Sequence, residues 1–181
     1  MRQERGFTLI EMMIGIGLMA LLLSIAVPAL DMFTSNARQS GAVNDFVASM
    51  HVARSTAVTT NTRVTVCPSD NGQRCAAVAW DQGWIVFADP NSNQVVDGDE
   101  RIVSTGSPID GLSIDSDEFG TFLTYRPNGR VMNASVNGSV GQFTVCDGRG
   151  SGHAKVMIVD LSGRPRFSEY QIDGSTPSCG S

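Results

Sequence analysis

The sequence predicts an α+β fold, a long N-terminal helix packed on an antiparallel β-sheet head. Three observations carry the prediction. An apolar run opens near residue 7 and continues to Leu30 with Glu11 as its one ionisable residue. A three- and four-residue apolar spacing then persists to about Thr60, which is the period of a helix. After Asn61 the pattern becomes short β-branched stretches separated by Asn-Gly and Ser-Gly pairs, the signature of strands and tight turns.

The 181 residues suffice for one folded domain with an appendage. Net charge is -5, which excludes a uniformly basic nucleic-acid binder. The charge is unevenly spread, however. From Asp89 to Glu118 the acids Asp89, Asp97, Asp99, Glu100, Asp110, Asp115, Asp117 and Glu118 face Arg101 alone. From Arg126 to Arg166 the bases Arg126, Arg130, Arg149, Lys155, Arg164 and Arg166 outnumber Asp147 and Asp160. Such asymmetry bears on partners even when the sum is acidic.

In chain order, the uncharged stretch from Met12 to Val27, together with the residues from Phe7 onward, reaches the roughly 20 residues that cross a bilayer. Arg2 and Arg5 precede it and favour a cytoplasmic N-terminus. A secretory signal peptide is an alternative, with Ser24-Ile25-Ala26 as a passable cleavage site, but glutamate is unusual near the start of such a segment. A helix apolar on all sides is also an odd core element at the end of so small a protein.

The order Gly6-Phe7-Thr8-Leu9-Ile10-Glu11 resembles the N-terminus of type IV pilins and pseudopilins. The resemblance implies that prepilin peptidase cuts between Gly6 and Phe7, removing residues 1–6 as a leader, and that the new Phe7 amine is methylated. It implies insertion in the inner membrane, with the head periplasmic, and assembly with other minor and major pilins or pseudopilins. A carboxylate within hydrocarbon costs about 2.5–3.5 kcal/mol on insertion scales. Glu11 is therefore expected to lack a partner in the lone chain and to find one in the filament, at the N-terminal amine of a neighbouring subunit.

Residues 7–30 are the membrane and filament-core half of the helix, and residues 31–61 are an amphipathic half. In the latter Phe33, Ala37, Val43, Phe46, Val47, Met50, Ala53 and Ala57 form one apolar stripe expected to lie on the head. Pro28 is expected to kink the helix, with Gly15, Gly17 and Gly41 as further soft points. A continuous helix from Phe7 to Thr60 spans on the order of 80 Å. His51 reads as a helix-surface residue.

Residues 62–181 form the head. Strands are expected at Arg63–Cys67, Trp84–Ala88, Arg101–Ser104, Thr121–Arg126, Gln142–Cys146 and Ala154–Asp160, with a short one at Arg166–Glu169. Turns fall at Asn71-Gly72, Asn128-Gly129, Asn137-Gly138 and Ser162-Gly163. Cys67, Cys75, Cys146 and Cys179 contain no CxxC pair, and neither histidine lies near them in sequence, so a zinc site is not expected. An exported chain with four cysteines reads as two disulfides. Three connectivities are open, and the sequential pairing, Cys67–Cys75 with Cys146–Cys179, is the one expected.

The succession "CPSDNGQRC", "WDQGWIVFADPN", "VCDGRG" and "LSGRPR" resembles the GspH/FimT branch of minor pilins and pseudopilins, with Trp80 and Trp84 as core or hairpin aromatics. Within it, Gly163-Arg164-Pro165-Arg166 resembles the GRxR motif of FimT-type pilins that bind DNA in natural transformation. Residues two apart in an extended chain share a face, which projects Arg164 and Arg166 together. Pro165 suits an edge strand, and paired guanidiniums suit phosphates. Arg130, Arg149 and Lys155 extend this patch if the "NGR" and "SGR" turns lie on one side. Short arginine pairs on exposed strands are also common without a ligand, and nearby aromatics for base stacking are few, Phe167 and Tyr170.

A second candidate is "DPNSNQVVDGDE". Read as a calcium loop, it places Asp89, Asn91, Asn93, Val95 (through its carbonyl), Asp97 and Glu100 at positions 1, 3, 5, 7, 9 and 12. Gln94 stands where the sharp turn wants glycine, and the flanks read as strands, so the alternative is an acidic hairpin loop. Calcium is the one cofactor the sequence suggests. No enzyme is expected, nor a small-molecule substrate: neither histidine adjoins a nucleophile motif, and no phosphate-binding glycine loop follows a strand. The expected function is structural, a minor pilin at a filament tip or initiation complex with DNA uptake as an added role. The alternative is a GspH-type minor pseudopilin of type II secretion with no DNA role.

Overall fold

A computed structural model describes residues 6–98, 100–133 and 140–180. Arg2 and Arg5, the leader before Gly6, Asp99 and the expected Asn137-Gly138 turn lie outside the described residues.

The helix, α1, runs Leu9–Thr60 and passes through Pro28 as one element. Its end follows from Asn61, which adopts a left-handed φ of 52°. That conformation lets the Thr62 N–H bond the Ala57 carbonyl at 3.2 Å, the long bond of a Schellman cap. The chain divides into two compact units, residues 1–40 and 41–181. In the first, the side chains from Phe7 to Leu30 are exposed, and the apolar part of α1 is long enough to cross a membrane. Phe33 and Ala37 are exposed as well, so the stripe that the head buries begins later than its spacing suggested.

In the second unit, Val43, Phe46, Met50, Ala53 and Ala57 are buried in the main core. Among the described residues nine strands join them: β1 Val64–Pro68, β2 Trp84–Ala88, β3 Ile102–Gly106, β4 Leu112–Asp115, β5 Leu123–Tyr125, β6 Val131–Asn133, β7 Gly141–Asp147, β8 Lys155–Val159 and β9 Pro165–Ser168. They form two sheets rather than one, ordered β3-β2-β1-β5-β6 and β4-β7-β8-β9, with antiparallel pairing throughout.

Phe46 is the hub where helix and both sheets meet. Its ring lies edge-on to Trp80, Trp84 and Phe143 at centroid separations of 5.6, 4.9 and 4.9 Å, a geometry that adds to simple area burial. Strand alternation explains the rest of the layering. In β7, Phe143 and Val145 face this core, and in β8 Met157 and Val159 do so. The opposite face of β7 is tied to the C-terminal segment. Gln142 bonds Gln171 and the Ile172 N–H at 3.1 and 2.7 Å, and Cys146 is joined to Cys179. On the far face of the first sheet, Cys67, Ile85 and Phe87 make a small second cluster. The structure forms both sequential disulfides, Cys67–Cys75 and Cys146–Cys179.

Candidate functional site

At the N-terminus, Gly6 and Phe7 precede α1 and are exposed, Phe7 at 86 %. Thr8 is the residue before the helix and Glu11 its third residue. The Thr8 N–H and hydroxyl both donate to Glu11 Oε2, at 2.9 and 2.8 Å, and the Glu11 N–H donates back to the Thr8 hydroxyl at 3.3 Å. This is a reciprocal capping box. It corrects the expectation that Glu11 lacks a partner in the single chain, because the carboxylate offers lone pairs to donors that a helix start otherwise leaves open.

The acidic loop is organised by its own hydrogen bonds. Asp89 is fully buried and accepts from the Thr65 hydroxyl at 2.6 Å and from the Asn93 and Gln94 N–H groups at 3.1 and 3.3 Å. Asn93 donates its amide to Asp97 at 2.6 Å and accepts the Val95 N–H at 2.9 Å. Gln94, where a calcium loop wants glycine, holds a left-handed φ of 58°. Glu100 caps the Asp97 N–H at 3.3 Å, and its carboxyl is pushed up by burial and by the neighbouring Asp97 and Asp89. Asp89, Asn91, Asn93, Val95, Asp97 and Glu100 thus close a hairpin loop. Among the described residues no three His, Cys, Asp or Glu side chains gather as a cation cage.

The GRPR stretch is the turn from β8 into β9. Among the described residues β9 is an edge strand pairing only with β8, which accommodates Pro165 opposite Val159. Arg166 pairs with Ile158, and Arg164, two residues earlier, is exposed like Arg166. Gly163 is buried with φ +70°, and a Cβ there would lie 2.2 Å from the Gly129 carbonyl oxygen and 2.9 Å from the Tyr125 ring. Only glycine lets the two turns touch. The "NGR" and "SGR" turns therefore do lie side by side.

A third element clamps them. Arg54 of α1 donates from Nε to the Ser162 carbonyl at 3.1 Å, and a Cβ at Gly129 would lie 3.0 Å from its Nη2. Nothing in the sequence singled out Arg54, since a helix arginine on an exposed-looking face resembles any solvated residue. Arg126 and Arg130 are exposed on the second turn, closed by the Arg126 N–H to Arg130 carbonyl bond at 2.8 Å. Asp160 sits at the base of the first turn. Hydrogen bonds from Ser162, then from the Arg164 backbone, and the charge of Arg166 hold its carboxyl below the usual range. Among the described residues Arg126, Arg130, Arg164 and Arg166 form no ion pair.

Arg149 and Lys155 do not extend this patch. Lys155 pairs with Val145 at the start of β8, four residues along the strand from Val159. That separation is roughly 13 Å at the usual strand rise. Arg149 follows Asp147 at that same end and is engaged by it, with Nε 2.8 Å from Oδ2. Arg149 and Lys155 thus fall at one end of the β4-β7-β8-β9 sheet, and Arg164 and Arg166 at the other, beside the β5–β6 turn that carries Arg126 and Arg130.

The comparisons agree with this architecture. The family described as "Type II transport protein GspH" matches residues 42–163, and "Prokaryotic N-terminal methylation motif" matches residues 1–27. Among solved structures, the Pseudomonas aeruginosa type IV minor pilin FimU is similar in two crystal forms. One has a TM-score of 0.58 at 17 % identity, covering 75 % of this chain and 92 % of that one. The other has a TM-score of 0.55 at 16 % identity, covering 71 % and 91 %. The Vibrio cholerae minor pseudopilin EpsH of the Type 2 Secretion System aligns at a TM-score of 0.45 and 11 % identity, over 69 % and 91 %. Among curated proteins none matches. With a capped apolar helix behind a methylation motif, and two thirds of its length matched by the family, this chain belongs to the GspH family of type IV pilin-like proteins, as a minor pilin or pseudopilin.

Proposed function

We propose that the protein is a minor subunit of a type IV pilus that contacts DNA through Arg164 and Arg166. In this reading the chain is inserted in the inner membrane with its N-terminus cytoplasmic and its head periplasmic. Prepilin peptidase cuts after Gly6, the Phe7 amine is methylated, and the subunit joins other pilins at a filament tip or initiation complex. It performs no chemistry of its own.

The observation that carries the DNA reading is the Gly163 contact. A glycine buried against Gly129 fixes the turn, so the exposed Arg164 is presented from a rigid base. A guanidinium without an intramolecular ion pair suits a phosphate oxygen. Binding through such contacts is salt-sensitive and indifferent to sequence.

The test is a salt-titrated binding assay on the mature chain in detergent, beside an Arg164→Gln/Arg166→Gln variant. Binding by the native protein that the variant loses, with its fold unchanged, supports the reading. Absence of binding by the native protein at low salt overturns it and leaves an assembly subunit. A second reading, a minor pseudopilin of type II secretion without a DNA role, draws on the description of the matching family. Gene deletion separates the two: loss of pili points to the first, and loss of exoprotein secretion with pili intact points to the second.

A further inference from the structure

We infer that the Arg126–Arg130 turn is the second half of the same phosphate-contacting surface, and that Arg54 is the positioning residue holding it against the GRPR turn. This rests on the DNA reading of Arg164 and Arg166.

Three contacts put the two turns together. Gly163 meets the Gly129 carbonyl, Gly129 meets the Arg54 guanidinium, and Arg54 Nε bonds Ser162. Arg130 and Arg164 each directly follow one of the touching glycines. Their Cα atoms are therefore no more than about 10 Å apart, given ~3.8 Å between consecutive Cα atoms. Arg126 closes the second turn through its bond to Arg130. A long flexible side chain spans several ångströms more, so the exposed guanidiniums of both turns can engage neighbouring phosphates of one duplex.

Electrostatics points the same way. Arg126, Arg130, Arg164 and Arg166 alike form no ion pair among the described residues. The charge available to a polyanion is thus spread over both turns. Arg54 differs from all of these. It is half-buried, and its Nε is engaged with the Ser162 carbonyl. It acts by fixing the spacing between turns, not by reaching the ligand.

The experiment titrates the full mature chain in detergent with a fluorescently labelled DNA duplex of mixed sequence, across a range of salt. Every phosphate that a variant no longer neutralises makes the log–log salt slope shallower by about 0.9. Arg126→Gln/Arg130→Gln is expected to lower affinity and flatten the slope by about two, and Arg126→Lys/Arg130→Lys to restore most of the slope. Unchanged disulfides and thermal midpoint establish that these variants fold. Arg54→Met is expected to weaken binding with the slope unaltered, and to speed amide exchange at residues 162–164. If the second-turn variant keeps the native slope while Arg164→Gln/Arg166→Gln flattens it, this inference is overturned and the GRPR reading survives. If neither variant changes the slope, both fall. A slope shallower by about one unit in Arg54→Met makes Arg54 a direct phosphate ligand and overturns its positioning role, as does unchanged affinity.

Discussion

Glu11 and Thr8 hold one another at the start of α1, the carboxylate accepting two bonds from Thr8 while the Thr8 hydroxyl receives the Glu11 N–H. Capping and assembly are thus two demands on one side chain, and substitutions separate them. Thr8→Ala is expected to speed amide exchange in the first helical turn while leaving incorporation into filaments intact, because the carboxylate remains. Glu11→Ala is expected to leave cleavage after Gly6 unaffected but to impair incorporation. Normal incorporation of the Glu11 variant, measured in sheared filaments, would refute the charge-pairing account.

Gly163 is expected to be among the least replaceable residues of the head. Gly163→Ala meets both a left-handed φ and a backbone oxygen 2.2 Å from the new methyl. We expect a loss of about 2 kcal/mol or more in urea unfolding. Gly174, at φ +84° with open space around it, is the control. Gly174→Ala should cost about 1 kcal/mol. Equal costs would show that backbone conformation, not the approach of the Gly129 turn, dominates.

The two disulfides should contribute unequally. Cys146–Cys179 closes a separation of 33 residues and Cys67–Cys75 one of 8. Loop-closure entropy assigns roughly 3–4 kcal/mol to the longer and about 2–3 to the shorter. Denaturant midpoints of the two paired-serine variants test the order. A larger loss on removing Cys67–Cys75 would mean that packing in the small cluster of Cys67, Ile85 and Phe87 outweighs chain entropy.

Acid should weaken the head through Asp147. The Arg149 side chain beside it, followed by the Arg149 backbone N–H, holds its carboxyl below the ordinary value of 3.8. A depressed carboxyl stabilises the fold above its unfolded value, and that stabilisation fades as pH falls through the folded one. Stability should therefore drop more steeply below about pH 4 in the native protein than in Asp147→Asn. Parallel curves would exclude Asp147 as a contributor.

The sequence was most legible where a rule is local. The turns at Asn71-Gly72, Asn128-Gly129 and Ser162-Gly163 carry left-handed glycines, as their dipeptides indicate. The helix ends at Thr60, where the period changes. β4 and β6 escaped notice because they are four and three residues long and carry Asp115 and Asn133, residues that read as loop. The division into two sheets escaped too, since pairing order is set by contacts distant in sequence. The candidate site shows the same limit. GRPR is readable as a string, but Arg54 joins it across 108 residues. The separation of Arg149 and Lys155 from Arg164 follows from the extended length of β8, which carries the chain from one end of the sheet to the other.

The aromatic hub also sets a timetable for the newborn protein. Phe46 leaves the ribosome early, yet its partner rings at Trp80, Trp84 and Phe143 follow much later in the chain. At ordinary rates of synthesis, ~5–20 residues per second, Phe143 trails Phe46 by roughly 5–20 s. Until then the greasy face of residues 42–57 has only part of its native cover, from β1, β2 and Trp80. A chain stalled or truncated before β7 would present this face to any chaperone or protease able to read an exposed apolar helix.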